Sequence, residues 1–123
     1  MTKVSIISIV DDDHSVRESL HGLLRSVGFF VQVFSSAEEF LNSDHFDKTD
    51  CLILDVRMPG ITGIELQRQL RAKGCRIPII FISAHADEET RNQAMGGGAV
   101  AFLEKPLCEE RVLAALKTAL NET

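Results

Sequence analysis

Residues 6–13 read Ile-Ile-Ser-Ile-Val-Asp-Asp-Asp, an apolar, β-branched run that ends abruptly in three carboxylates. A second run, Cys51-Leu52-Ile53-Leu54, ends the same way at Asp55. Three more follow the pattern: Phe30–Phe34 after Gly28, residues 77–82 around Pro78, and residues 100–103. Runs this short, branched and continuous fit strands buried on both faces of a parallel sheet. Amphipathic segments lie between them. Val16, Leu20, Leu23, Leu24 and Val27 share one helical face, and Gly28 stands where a C′ glycine would end that helix. Ser15 with Glu18 is a candidate capping box there, and Asp13 an equally good N-cap. Further helical segments are expected over residues 36–41, 64–72, 87–95 and 109–120, the last with Val112, Leu113, Leu116 and Leu120 on one side. Five strands alternating with five helices define an α/β fold with a parallel sheet and helices on both faces.

The composition fits this and excludes other classes. The chain has 123 residues, 45% hydrophobic and 25% charged, enough for one ordinary domain and incompatible with disorder. Its net charge is −5, and it lacks Trp and Tyr. Both facts argue against the domain gripping nucleic acid on its own. No apolar run approaches the ~18 residues of a membrane span, and Asp11 interrupts the start too early for a secretory signal. A cytoplasmic location and no membrane partner are therefore expected. Cys51, Cys75 and Cys108 have no zinc-ligand spacing and read as small buried or half-buried residues.

In open parallel sheets, ligands bind beyond the carboxyl ends of the strands. Asp11, Asp12 and Asp13 follow the first run and Asp55 the third. Ser83-Ala84-His85 follow the fourth, and Glu104-Lys105-Pro106 the fifth. Carboxylates gathered at one edge repel: two unit charges 4 Å apart interact by about 4 kcal/mol at an effective dielectric of 20. A hard divalent cation relieves that repulsion, since Mg²⁺ takes carboxylate oxygens, carbonyls and waters while leaving room for phosphate. Lys105 then supplies a point positive charge, and the Ser83 hydroxyl a donor for a phosphoryl oxygen. An acidic helix start would explain Asp13, but not Asp11 at the end of a strand.

Val10-Asp11-Asp12-Asp13, the stretch Leu52-Ile53-Leu54-Asp55-Val56-Arg57-Met58-Pro59-Gly60, Gly63, Ile82-Ser83-Ala84 and Phe102-Leu103-Glu104-Lys105-Pro106 together resemble the signature of two-component response-regulator receiver domains. The resemblance covers the whole chain. Its wording is most similar to the nitrogen-fixation type regulators that carry a helix-turn-helix output domain. It implies a flavodoxin-like receiver fold with strand order 2-1-3-4-5, residues 1–123 forming a single receiver domain with no output domain in this chain. It implies Asp55 as phosphoacceptor. Metal ligands would be Asp12, Asp55 and the backbone carbonyl of Arg57, with Asp11 acting through water and Mg²⁺ as cofactor. Lys105, Ser83 and the backbone of Ala84 would bind the phosphoryl group, Ser83 and Phe102 would form the switch, and the Lys105–Pro106 bond would be cis. A histidine kinase would be the phosphodonor, and phosphorylation would promote a homodimer. DNA would be reached only through an output domain.

Several positions qualify the pattern. His14 reads as a solvated first-turn residue, because Mg²⁺ prefers oxygen. His85 lies where its ring could border the pocket, while His21 and His45 read as surface residues. Gly96-Gly97-Gly98 replaces the single glycine usual in such domains; Gly98 is the expected C′ residue, and the other two weaken a helix anchored only by Ala94 and Met95. Two alternatives share parts of this pattern. A stand-alone receiver acting by protein contact has the same signature. An Asp-nucleophile phosphatase expects a second acid two residues after the nucleophile, where this chain has Arg57.

Overall fold

The computed structural model describes residues 4–44, 46–85 and 87–120. His45, expected at the surface, lies outside these residues. The strands are β1 (Ile6–Val10), β2 (Phe30–Phe34), β3 (Cys51–Asp55), β4 (Ile79–Ser83) and β5 (Ala101–Glu104). All pair in parallel, in the order β2-β1-β3-β4-β5. The helices are α1 (His14–Ser26), α2 (Ala37–Leu41), α3 (Gly63–Ala72), α4 (Glu88–Gly96) and α5 (Glu109–Ala119). The chain winds one way from β1 to β2 and the other way from β3 onward, so the switch point falls between β1 and β3.

The continuous apolar runs have the cause that was read from them: β3 and β4 are buried at all five positions each. Side chains alternate between two cores. Ile7, Ile9, Ile53, Ile80 and Ile82 pack with Leu20, Leu24, Val112 and Leu116 of α1 and α5. Val10, Leu52, Leu54, Ile79 and Phe81 pack with Phe40, Leu66, Leu70 and Ala94 of α2, α3 and α4. The fourth strand starts at Ile79 rather than 77, because Pro78 has no N–H to give the ladder.

The structure decides one choice the sequence leaves open and corrects three expectations. Asp13, not Ser15, caps α1: its extended backbone lets the carboxylate accept from the Ser15 N–H at 2.8 Å, which leaves Ser15 inside the first turn. Val27 becomes the exposed C-cap residue instead of a packing residue, with Gly28 following at φ 100°. Met95 does not anchor α4 but is 44% exposed; Ala94 is the buried residue of that helix. Cys108 is also exposed, at the N-cap of α5, whereas Cys51 is buried and Cys75 half-buried.

Candidate functional site

The carboxyl ends of β1 and β3 adjoin in the sheet, with Val10 opposite Leu54, so the next residues, Asp11 and Asp55, share one crevice. Oxygens of Asp11, Asp12 and Asp55 all lie within 4.8 Å of one another. Asp11 is fully buried and Asp55 nearly so, while Asp12 is exposed at the rim. The backbone secures each. The Asp11 carboxylate accepts from the Asp13 N–H through Oδ1 at 2.8 Å, and the Asp11 carbonyl accepts from Arg17 Nη1 at 2.8 Å. A Cβ at Gly63 would collide with the Asp55 carbonyl, so glycine there brings the start of α3 against the end of β3. A capping box between Thr62 and Glu65 fixes that helix start.

Lys105 follows β5 and precedes a cis peptide bond to Pro106. Its Nζ lies 2.9 Å from Asp11 Oδ2 and 3.6 Å from Asp55 Oδ1. Burial opposes the charge on Lys105, but Asp11 and Asp55 together outweigh it and raise its pKa. Asp55 is pushed up to about 7. Burial is the main cause; Asp11 adds repulsion, Lys105 offsets part of it, and Asp12 favours the protonated form by hydrogen bonding.

Ser83 ends β4 beside this crevice and is buried. Its Oγ donates to the His85 carbonyl at 2.9 Å and accepts from the His85 N–H at 3.1 Å, so it is engaged with its own loop. Ala84 and His85 are exposed. Phe102 is buried on β5, its ring 6.4 Å from that of Phe81, and the Arg91 guanidinium lies 4.9 Å over its centre. Arg57 is exposed, with Nη2 3.3 Å from Asp87 Oδ2. His14 is solvated and faces Glu18 at 3.3 Å, as read; His21 is half-buried. Burial pushes the Cys51 thiol up to about 12, which makes it inert.

The arrangement brings together Asp11, Asp12, Asp55 and Lys105, and sets Ser83 at the next strand end. Sequence reasoning missed Arg17, Gln67, Arg71, Arg91 and the Arg57–Asp87 pair. Only the helical spacing of Gln67 and Arg71 carried a signal, since positions i and i+4 share a face.

Fold and crevice define a flavodoxin-like domain whose chemistry sits at the switch point between β1 and β3. The family model described as response regulator receiver domain matches residues 7–117, and the chain belongs to this family. It is 49% identical over 119 residues to the response regulator protein TodT of Pseudomonas putida, covering 97% of this chain and 52% of that one. It therefore spans about half the length of that relative. Among solved structures, the response regulator StyR superposes with a TM-score of 0.88 at 47% identity, covering 97% of this chain and 60% of that one. The structure described as FixJ-N gives a TM-score of 0.87 at 35% identity, covering 99% and 98%.

The crevice suits a hard cation on its own chemistry. Among the described residues, the cluster is made of three carboxylates, with no nitrogen or sulfur ligand. The buried Asp11 Oδ2 has no well-directed hydrogen bond, only the ammonium of Lys105 beside it. The repulsion from Asp11, which adds to burial in raising the Asp55 pKa, is also what a divalent ion would relieve.

Proposed function

We propose that this domain is a phospho-accepting switch in which Asp55 takes a phosphoryl group from a histidine kinase. The observation that carries the reading is the placement of Asp55. It is a nearly buried carboxylate at the end of the central strand, with two carboxylates within 4.8 Å and Lys105 at 3.6 Å. Asp12, Asp55 and the backbone carbonyl of Arg57 would hold Mg²⁺, with Asp11 acting through water. When bound, Mg²⁺ supplies charge neutralisation for the carboxylates and the incoming phosphoryl oxygens. Asp55 is the nucleophile. Lys105, which lies between Asp11 and Asp55, would pair with a phosphoryl oxygen on Asp55. The Ser83 hydroxyl and the Ala84 backbone N–H receive the remaining oxygens once Ser83 releases His85.

Positioning and charge neutralisation carry such a transfer, so little covalent chemistry is asked of the protein. Turnover is limited to slow hydrolysis of the acyl phosphate. Arg57 occupies the place where a phosphatase would need its second acid. The added charge then draws Ser83 inward and shifts the face formed by α4, β5 and α5. Control of transcription through a further output domain is supported by relatives that are regulatory proteins of about twice this length.

Incubation with acetyl phosphate and Mg²⁺, read by intact mass, tests the reading. One phosphoryl addition is expected, decaying slowly, and none in Asp55→Asn. A full adduct on that variant, or rapid turnover of acetyl phosphate by the native chain, overturns it.

A further inference from the structure

Helix α4 is held very differently at its two ends. At its C-terminal end, Gly98 adopts φ +95° and the chain closes a Schellman cap. The Gly98 N–H donates to the Met95 carbonyl at 3.0 Å, and the Ala99 N–H to the Ala94 carbonyl at 3.1 Å. The Ala94 carbonyl accepts a second bond there. Gln67 of α3, only 2% exposed, donates to it through Nε2 at 3.0 Å. Gly97 is what lets this amide in: a Cβ at Gly97 would lie 2.6–2.9 Å from the Gln67 amide atoms. One turn further along α3, Arg71 reaches the Gly97 carbonyl from Nε at 3.5 Å. Its Nη1 donates to the Cys75 and Ile77 carbonyls at 3.0 and 2.9 Å. Two side chains of α3 thus wire the last turn of α4 to the segment that enters β4.

The N-terminal half has no buried residue. Asp87 caps it, and its outside contacts are the exposed Arg57–Asp87 pair and the stacking of Arg91 on Phe102. An exposed pair of this kind is worth little, whereas the buried Gln67 amide would be left unpaired if the cap moved away, which is costly. Ser83 is bonded through its Oγ to the His85 backbone, in the loop that enters this weak end.

We propose that the Gln67 amide seated against Gly97 is the pivot of α4, a fixed C-terminal end about which the N-terminal half swings. The swing rests on the receiver reading above; the pin does not. It also assigns two of the three consecutive glycines. Gly97 admits Gln67 and Gly98 supplies the positive φ, while Gly96 faces open space.

Residue-resolved amide exchange on the whole chain tests both parts. In the unliganded protein, the Gly98 and Ala99 amides should exchange at least tenfold more slowly than those of residues 88–91. Gln67→Leu should erase that difference, and so should Gly97→Ala, which leaves α3 untouched. Amides of β1 and β3 should stay protected in both, which separates a loosened pin from a loosened fold. The double variant Gln67→Ala/Gly97→Ala should be no worse than Gln67→Ala alone, since the collision has been removed; independent effects would add. An unaltered cap in both single variants, or simple addition, overturns the pin. With Mg²⁺ and beryllium fluoride, a phosphoryl mimic, changes should fall on residues 84–91 and spare Gly98 and Ala99. Changes running evenly through the cap overturn the pivot. If the mimic leaves the amides of Asp55 and Ser83 unmoved, the receiver reading fails, while the unliganded variants still decide the pin.

Discussion

Asp55 concentrates the charge conflict of the crevice in one titratable group. Its folded pKa of about 7 stands well above the roughly 3.9 of an unfolded chain. Without metal, the native state keeps a proton that the unfolded state releases between about pH 4 and 7. The stability this group provides is full below pH 4 and is lost as pH rises through 7. At 1.36 kcal/mol per unit, the loss is on the order of 4 kcal/mol. Melting midpoints in chelator should fall over this range, and Asp55→Asn should flatten the curve. Equal slopes in both proteins would place the titrating group elsewhere. Metal should act in the opposite sense at neutral pH, because it favours the ionised carboxylates and finds no preformed site in the unfolded chain. At a hundredfold excess over Kd, Mg²⁺ should stabilise the protein by about 2.7 kcal/mol. Asp12→Ala should lose most of this gain while melting no lower without metal. If both proteins respond equally to Mg²⁺, Asp12 is not a ligand.

The elements differ in how much their stability depends on features a sequence displays. Strands β3 and β4 are buried at every position, so continuous apolar runs marked them within a residue or two. The acids, Ser83 and Lys105 were legible because each lies within two residues of the end of an apolar run. Helix α4 was only partly legible. Its periodicity is faint because one alanine is buried and Met95 faces solvent. Its main fastening is polar and comes from α3, through Gln67. No local pattern in residues 87–98 announces a donor 27 positions away. Nor does a run of three glycines reveal which glycine is required. Substitution should sort them by sign. Gly98→Ala forces a side chain into the left-handed region and should cost about 1–2 kcal/mol. Gly96→Ala sits in the last helical turn with open space around it and should gain up to about 1 kcal/mol. Thermal unfolding of the two variants checks this; a shared sign would mean that the cap is not built around Gly98.

Across the whole molecule, the sheet sets the acidic crevice apart from its β5 edge. The carboxylates gather beyond β1 and β3, whereas β5 forms the far edge with α4 and α5 beside it. That edge carries exposed Glu88 and Glu89 at the start of α4, and exposed Arg111 and Lys117 on α5. In a two-fold pairing, the acids of one copy can face the bases of the other. Long-range charge works against the pairing. Each copy carries −5, and a phosphoryl group adds roughly −1.5 to −2 more. If phosphorylation promotes pairing, it must therefore do so by reshaping this face and not through net charge. The Arg91–Phe102 contact bridges α4 and β5 on this face. Sedimentation at increasing concentration should accordingly show the phosphorylated domain associating more strongly than the unmodified one. Ser83→Ala carries the same charge when phosphorylated and should associate more weakly, and Arg111→Glu should weaken pairing without affecting the phosphoryl adduct. Monomers in both states, or a Ser83→Ala variant that pairs as strongly as the native domain, would remove this face as the output surface.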